Sequence, residues 1–408
     1  MTTLASLPAP STRRVAIHLK PAAERAVKQG HPWVFDQGIT RKSHEGATGD
    51  LAVLYDHRNR FLGVGLYDAQ SPVRVKVLQS GQPAEINAEW FAQTLREALA
   101  LRDPLRDTDT TGYRLVNGES DSLPALIVDR YADTLVIKVY SLAWMPHLRT
   151  FLHALDDVYP AQRWVLRLAR NVGAPHGLKD GMILKGSAPT GPVDFLENGL
   201  LFSADVQHGH KTGFFFDQRD NRALAGSLAA GRSVLDVFAY TGAFALYCAQ
   251  GGARSVLAID SSEPALAVAR QAFNANVRAG RIARTTLDTQ AADAFRAMSL
   301  MIRQRRRYDM VIIDPPSFAK SEAEVPGALR AYTQLAEMGL ELLADEGVFV
   351  MASCSSRVRA EQFFDTIDKV AQRLRPDLDE LHRTGHAVDH PATFPEALYL
   401  KCWFAGRR

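Results

Sequence analysis

Along residues 15–78, apolar and polar positions alternate in short runs broken by turn residues. The runs are Trp33-Val34-Phe35, then Leu51 to Leu54 after Gly49-Asp50, Arg60 to Gly65, and Val73 to Val77. A period of two over such short segments predicts strands, and strands at this spacing predict a small β-barrel. Gly63 and Gly65 look like the start of a dinucleotide fingerprint, but no third glycine, helix or acidic partner follows, so they read as strand glycines. Over residues 87–184 the period is mixed. Helices are expected at 89–101 and 147–155, and strands at 125–129, 135–140 and 164–168, which describes an α+β insert. The 186–192 stretch, GSAPTGP, has turn chemistry and marks a boundary. From Ser233 onward, apolar strands (234–238, 256–260, 310–314, 348–352) alternate with amphipathic helices such as 263–279 and 360–373. Alternating β and α units imply right-handed crossovers and a parallel, doubly wound sheet covered on both faces. The expected division is a barrel over 1–82, an α+β domain over 83–190 and the α/β domain over 191–408.

Composition changes this picture little. With 408 residues, 46% hydrophobic and 23% charged, the chain is expected to fold throughout into more than one domain. No run of about 18 apolar residues is present to span a bilayer, and the opening arginines follow rather than precede a short apolar run, so a cytoplasmic protein without membrane partners is expected. Cys248, Cys354 and Cys402 are far apart and form no CxxC pair, which suggests neither a disulfide framework nor a metal site. Charge changes more. Residues 1–80 hold 11 Lys and Arg against 6 Asp and Glu, whereas the whole chain nets only +3. A basic barrel of this kind suits phosphate contacts, alongside the plainer reading of a solvated surface.

Ligands of a doubly wound sheet sit at the carboxyl ends of its strands, so the residues there carry the chemistry. The first strand runs into Asp236-Val-Phe238-Ala-Tyr240-Thr241-Gly242, and the second ends at Asp260-Ser261. An acidic residue at the second strand end can chelate a ribose diol. A pyrophosphate wants several glycine amides and would be repelled by Asp236, whereas a sulfonium cofactor carrying a free ammonium is attracted to it. Asp293, before Ala294, is placed to accept from an adenine amine, against the plainer reading of a helix N-cap. The fourth strand ends in Asp314-Pro315-Pro316-Ser317-Phe318, where two prolines fix the backbone and Phe318 offers a ring to a flipped base. The fifth ends at Cys354, beside Asp314 in such a sheet and placed for nucleophilic work; Cys248 and Cys402 read as core residues.

The run from Gln207 through Lys211, Phe215, Gln218 and Arg219 to Arg222, with VLDVFAYTGAF, IIDPPSF, SCSS and DHPATFPEALYLK, resembles the class I S-adenosylmethionine-dependent methyltransferases of the RlmI type, which form 5-methylcytosine in 23S ribosomal RNA. The N-terminal GHPWVF and the barrel after it resemble a PUA domain. The resemblance implies that Lys211, Phe215 and Gln218 line the cofactor entrance. Phe238, Tyr240, Thr241, Ser261 and Ala294 would then join Asp236, Gly242, Asp260, Asp293 and Asp314 in holding S-adenosylmethionine. Cys354 would be the nucleophile with Asp314 as its catalytic partner, while Pro315, Pro316, Phe318, Lys320 and Arg219 would meet the RNA. Homodimerisation is compatible with this family. Ala243 stands where relatives often carry a second glycine, and no cysteine occurs in Asp314-Pro-Pro-Ser317, so another group must take the carbon-5 proton. Two rival readings compete: methylation of a guanine or adenine nitrogen, which needs no Cys354, and a non-catalytic RNA-binding assembly factor using the barrel and Arg303, Arg305, Arg306 and Arg307.

Overall fold

A computed structural model describes residues 4, 6–283 and 285–407. These residues form two compact units. The first comprises Met1–Phe195, Ala204–Phe216 and Val388–Phe394; the second comprises Leu196–Ser203, Asp217–Ala387 and Pro395–Arg408.

The first unit opens with a six-stranded sheet ordered Trp33–Phe35, Val73–Ser80, Phe61–Tyr67, Leu51–Tyr55, Val15–Leu19, Ile39–Lys42. Its two end strands are joined by the single turn Asp36–Gly38, which forces the sheet to curl back on itself around Val15, Ile17, Val34, Leu54, Tyr67 and Val75. Gly63 and Gly65 lie within a strand, where a Cβ at Gly65 would come 2.3 Å from the Lys76 carbonyl. A five-stranded sheet follows, covered by the helices Ala88–Ala100 and Met145–Val158. One apolar cluster runs continuously from Leu51, Val64 and Leu78 of the first sheet to Phe91, Trp144 and Phe151 beneath the second.

The second unit carries one seven-stranded sheet. Its strands are Ser233–Val237 (β1), Ser255–Asp260 (β2), Thr286–Ala291 (β3), Tyr308–Ile313 (β4), Leu343–Ser353 (β5), Asp379–Thr384 (β6) and Lys401–Gly406 (β7). The order is β3-β2-β1-β4-β5-β7-β6, with β1 to β5 parallel, β7 antiparallel to β5, and β6 antiparallel to β7. The helices are Arg219–Ser227 (α1), Ala243–Gln250 (α2), Glu263–Arg278 (α3), Ala294–Arg303 (α4), Val325–Leu342 (α5) and Ala360–Leu374 (α6). Alternation along each strand splits the core in two. Leu235, Val237, Val311, Ile313, Phe349 and Met351 pack towards α4, α5 and α6, while Val234, Val256, Met310, Ile312, Val350 and Cys402 pack towards α1, α2 and α3. The strand order reverses between β1 and β4, so the crevice forms where those two strands end.

Candidate active site

At the end of β1 the chain turns sharply, with Phe238 at φ 65°, Tyr240 at φ 50° and Gly242 at φ 74°. Left-handed backbone at two non-glycine residues costs about 1–2 kcal/mol each and persists only where neighbours enforce it. Here the Ala239 amide donates to the Ile259 carbonyl at 2.9 Å, Tyr240 to Asp260 Oδ2 at 2.9 Å, and Gly242 to the Ala239 carbonyl at 2.8 Å. Gly242 has no substitute, because a Cβ there would lie 2.7 Å from that of Ala269. Helix α2 starts at once, and its Ala245 amide donates to Asp236 Oδ2 at 3.1 Å. The other oxygen of Asp236, Oδ1, is buried and has no hydrogen-bond partner among the described residues. Burial and the neighbouring charge of Asp314 push this carboxyl up to about 8, with Asp260 adding to the rise and the single Ala245 bond opposing it.

The remaining expected cofactor residues are less concentrated. Asp260 is half-buried, accepting from the Tyr240 and Ser262 amides, and Ser261 beside it is exposed. Asp293 is exposed and caps α4, its Oδ1 accepting from the Arg296 amide at 3.0 Å, while Ala294 is buried behind it. The cap that a lone Asp before a helix favours is therefore the contact the structure shows for Asp293. Thr241 is half-buried in the β1 loop. Gln218 is buried ahead of α1, where its Oε1 accepts from Asn221 at 2.6 Å and its Nε2 has no partner among the described residues. Lys211 and Phe215 belong to the first unit, with the ammonium 4.2 Å from the ring centroid. A buried carboxylate oxygen without a partner, an acidic strand end one strand away and a tight glycine turn suit a cofactor that is both cationic and a nucleoside.

The second mouth lies between β4 and β5. Tyr332 of α5 shares hydrogen bonds of 2.8 Å with both Ser353 Oγ and Ser355 Oγ. Ser355 Oγ in turn accepts from the Phe318 amide at 3.1 Å and from Ser317 Oγ at 3.2 Å, so the two strand-end loops are tied together. Cys354 stands between them, partly exposed, with Sγ 3.9 Å from the Pro315 carbonyl. Cys248 and Cys402 are fully buried, and burial pushes both thiols well up. Phe318 leans on Tyr332 with ring centroids 5.3 Å apart; Pro315 is buried, and Pro316 and Lys320 are exposed. Arg219 does not reach the surface: it is 1% exposed, 3.4 Å from Asp220. The arginines 303–307 lead into the start of β4, at the end of the sheet opposite both mouths.

Sequence reasoning passed over Lys401. It pairs with Ser353 across the β5–β7 ladder, and its buried ammonium donates to the carbonyls of Ser355 (2.8 Å), Val358 (2.9 Å) and Tyr399 (2.9 Å). Burial lowers this amine to about 8, with Cys354 acting in the opposite direction. Tyr332, Ser353 and Ser355 were passed over as well. The one signal for Lys401 was a lysine flanked by apolar residues in LYLKCWF.

Among the described residues no helix is long and apolar enough to cross a membrane. A family model described as a PUA-like domain matches residues 17–80, and one described as an S-adenosylmethionine-dependent methyltransferase matches residues 114–398. A Deinococcus radiodurans protein named ribosomal RNA large subunit methyltransferase is 44% identical over 98% of this chain and 99% of its own length. One from Photobacterium profundum named ribosomal RNA large subunit methyltransferase I is 34% identical over 95% of this chain and 98% of its own. A Streptococcus mutans protein whose structure is described as a putative S-adenosylmethionine-dependent methyltransferase has a similar fold, with a TM-score of 0.80 at 24% identity, covering 96% of this chain and 99% of that one.

Proposed function

The chain belongs to the S-adenosylmethionine-dependent methyltransferase family, and from that premise we propose that it methylates carbon-5 of a cytosine in large-subunit (23S) ribosomal RNA through a covalent bond to Cys354. The observation that carries this reading is the placement of the one partly exposed thiol at the β5 mouth, against the Asp314-Pro315 loop and held by tied strand ends. A nitrogen-methylating site has no use for a thiol there.

S-adenosylmethionine, when bound, supplies an electrophilic methyl group. Asp236 and Asp260 would hold its cationic and ribose parts, with the β1 loop shaping the seat. Carbon-5 of cytosine is too poor a nucleophile to take that methyl unaided. The Cys354 thiolate would add to carbon-6, an S–C bond forming, and the displaced π pair would make the ring an enamine whose carbon-5 can take the methyl as its bond to the sulfonium sulfur breaks and a neutral thioether is left. A base then removes the carbon-5 proton, and the electron pair left behind re-forms the double bond and expels the thiolate. Asp314, at the neighbouring strand end, would support the ring nitrogen or its amine. Residues 1–82 would hold RNA phosphates, in an enzyme that works in the cytoplasm.

The test is RNA bearing 5-fluorocytosine at the target. Fluorine cannot leave as a proton does, so the wild-type enzyme should methylate once and remain attached through denaturation. Cys354→Ala should bind cofactor normally yet give neither adduct nor product. An active Cys354→Ala enzyme would refute the covalent route in favour of methylation at guanine or adenine nitrogen.

A further inference from the structure

Lys401 is a positive charge buried opposite Ser353, the residue before the proposed nucleophile, and the mechanism above does not use it. Its surroundings restrict what it can do. The ammonium has three protons, and three backbone carbonyls, of Ser355, Val358 and Tyr399, take one each. Carbonyl oxygens accept and do not donate, so this cage is made for the charged amine. Losing a proton would leave one carbonyl facing a nitrogen lone pair. An amine so committed has no free lone pair, which excludes it as the base for the carbon-5 proton.

We propose that Lys401 is a positioning residue for Cys354: its caged ammonium fixes the turn that follows the nucleophile and holds a positive charge beside the thiol, favouring the thiolate. The proposal rests on the reading of Cys354 given above and adds the means by which that thiol is activated. Two of the three carbonyls, those of Ser355 and Val358, belong to the turn between Cys354 and α6, and the third belongs to the segment entering β7. The other titratable groups around this mouth are Asp314 at the β4 end, the Tyr332 hydroxyl from α5, and the exposed side chains of Lys320 on the β4 loop and of Arg357, which faces Glu322 at 3.9 Å, while Cys402 beside Lys401 is fully buried on β7. The Asp314 carboxylate disfavours a thiolate. Tyr332 is a neutral phenol that burial pushes further up, and its oxygen is already engaged with Ser353 and Ser355. Lys401 is thus the one buried cation among these groups, the charges of Lys320 and Arg357 being exposed to solvent. Burial lowers its own proton affinity only to about 8, so the charge is present at neutral pH. A cation next to a cysteine depresses the thiol, and the thiolate is the nucleophilic form.

The experiment measures the thiol directly. The rate of iodoacetamide alkylation at Cys354 is followed against pH by peptide mass spectrometry, with buried Cys248 and Cys402 as unreactive references. The wild-type profile should have a midpoint below the ordinary thiol value of about 8.5. Lys401→Met, shown to be folded by its melting curve and by cofactor affinity, should shift that midpoint upwards by about one unit, making alkylation roughly tenfold slower near pH 7. Lys401→Arg, which keeps the charge, should shift it less. A wild-type midpoint at or above the ordinary value overturns the proposal without recourse to any variant, as does a folded Lys401→Met protein with an unchanged profile. Because alkylation needs no turnover, an active Cys354→Ala enzyme would refute the covalent reading separately from this result.

Discussion

The buried carboxylates of the first unit and Asp236 of the second are treated in opposite ways. In the first, Asp121 is gripped by both terminal nitrogens of Arg102 at 2.9 and 2.6 Å, and Asp129 by Arg114 at 2.8 and 3.1 Å. Asp56 there is fully buried as well. Burial by itself raises its pKa, but bonds from the Arg60 and Arg58 amides and the Arg60 guanidinium outweigh burial and hold the group at about 2. In the second unit Asp236 is as deeply buried, has among the described residues no cation in reach and no partner for one oxygen, and is pushed up to about 8. An isolated buried charge is among the costliest things a fold can contain, so chains neutralise it or pair it. The first unit pairs its acids from within the chain. The second does the same for Glu197, gripped by Arg222 at 2.7 and 2.9 Å, but leaves Asp236 to a cation from outside, which is the character of a sulfonium cofactor with an ammonium group.

Removing a cation from the first unit should have the largest effect. Arg102→Ala leaves Asp121 buried and uncompensated and strips hydrogen bonds from the carbonyls of Ala98, Arg114 and Asp389. The expected loss of stability is about 3–5 kcal/mol, read from denaturant unfolding. A loss under about 1 kcal/mol would mean that unpaired acids are cheap throughout this protein, and the contrast with Asp236 would lose its meaning.

Asp236→Asn sharpens the comparison from the other side. The substitution should weaken S-adenosylmethionine binding by about 1.5–3 kcal/mol, since it removes a charge-assisted contact. It should also change how stability depends on pH. In the wild type the folded-state pKa of about 8 lies above the unfolded value of 3.8, so the contribution of this group is fully present below pH 3.8 and is lost as pH rises through 8. Asparagine does not titrate. Between pH 5 and 8 the wild type should therefore lose stability relative to the variant, by up to about 1.4 kcal/mol for each pH unit. For the same reason, cofactor binding near neutral pH should release a proton in the wild type and none in the variant, which calorimetry in buffers of different ionisation heat will show. Parallel pH profiles for the two proteins would place the titrating group elsewhere.

How much of this was legible in the sequence follows from what each element buries. The strands β1, β2 and β4 and the 348–353 part of β5 are near-continuous apolar runs because both of their faces are covered, and they were found within two residues of their ends, whereas the start of β5 at Leu343, with Asp345 and Glu346 after it, was missed by five residues. The sheet's outer strands carry polar residues, TLDTQA in β3 and DELHRT in β6; the first was only inferred from the spacing and the second was not read as a strand. The helix Pro21–Lys28 was missed because its proline, at a first-turn position where the missing amide costs nothing, reads as a breaker. The positions of Asp236, Asp260 and Cys354 at or next to strand ends were legible because those strands were legible. Lys401 was not, because its partners are backbone carbonyls brought together by antiparallel register across β5 and β7, and register leaves no mark in composition.

Asp260 offers the mildest and most discriminating test of the contrast. Like Asp236 it ends a parallel strand next to the crevice, but both of its oxygens are already accepting, Oδ2 from the Tyr240 amide and Oδ1 from the Ser262 amide. Part of its charge is therefore spent within the chain, and a ribose hydroxyl meets only the remaining lone pairs. Asp260→Ala should weaken S-adenosylmethionine binding by about 1 kcal/mol, less than the loss at Asp236, even though it also frees the strained Tyr240 backbone. If partnering inside the chain governs what a carboxylate can offer a ligand, the order of the two losses holds. A larger loss at Asp260 than at Asp236 would show instead that holding the β1 loop in its left-handed turn matters more to binding than the free charge, and the contrast between the two units would then concern loop strain rather than electrostatics.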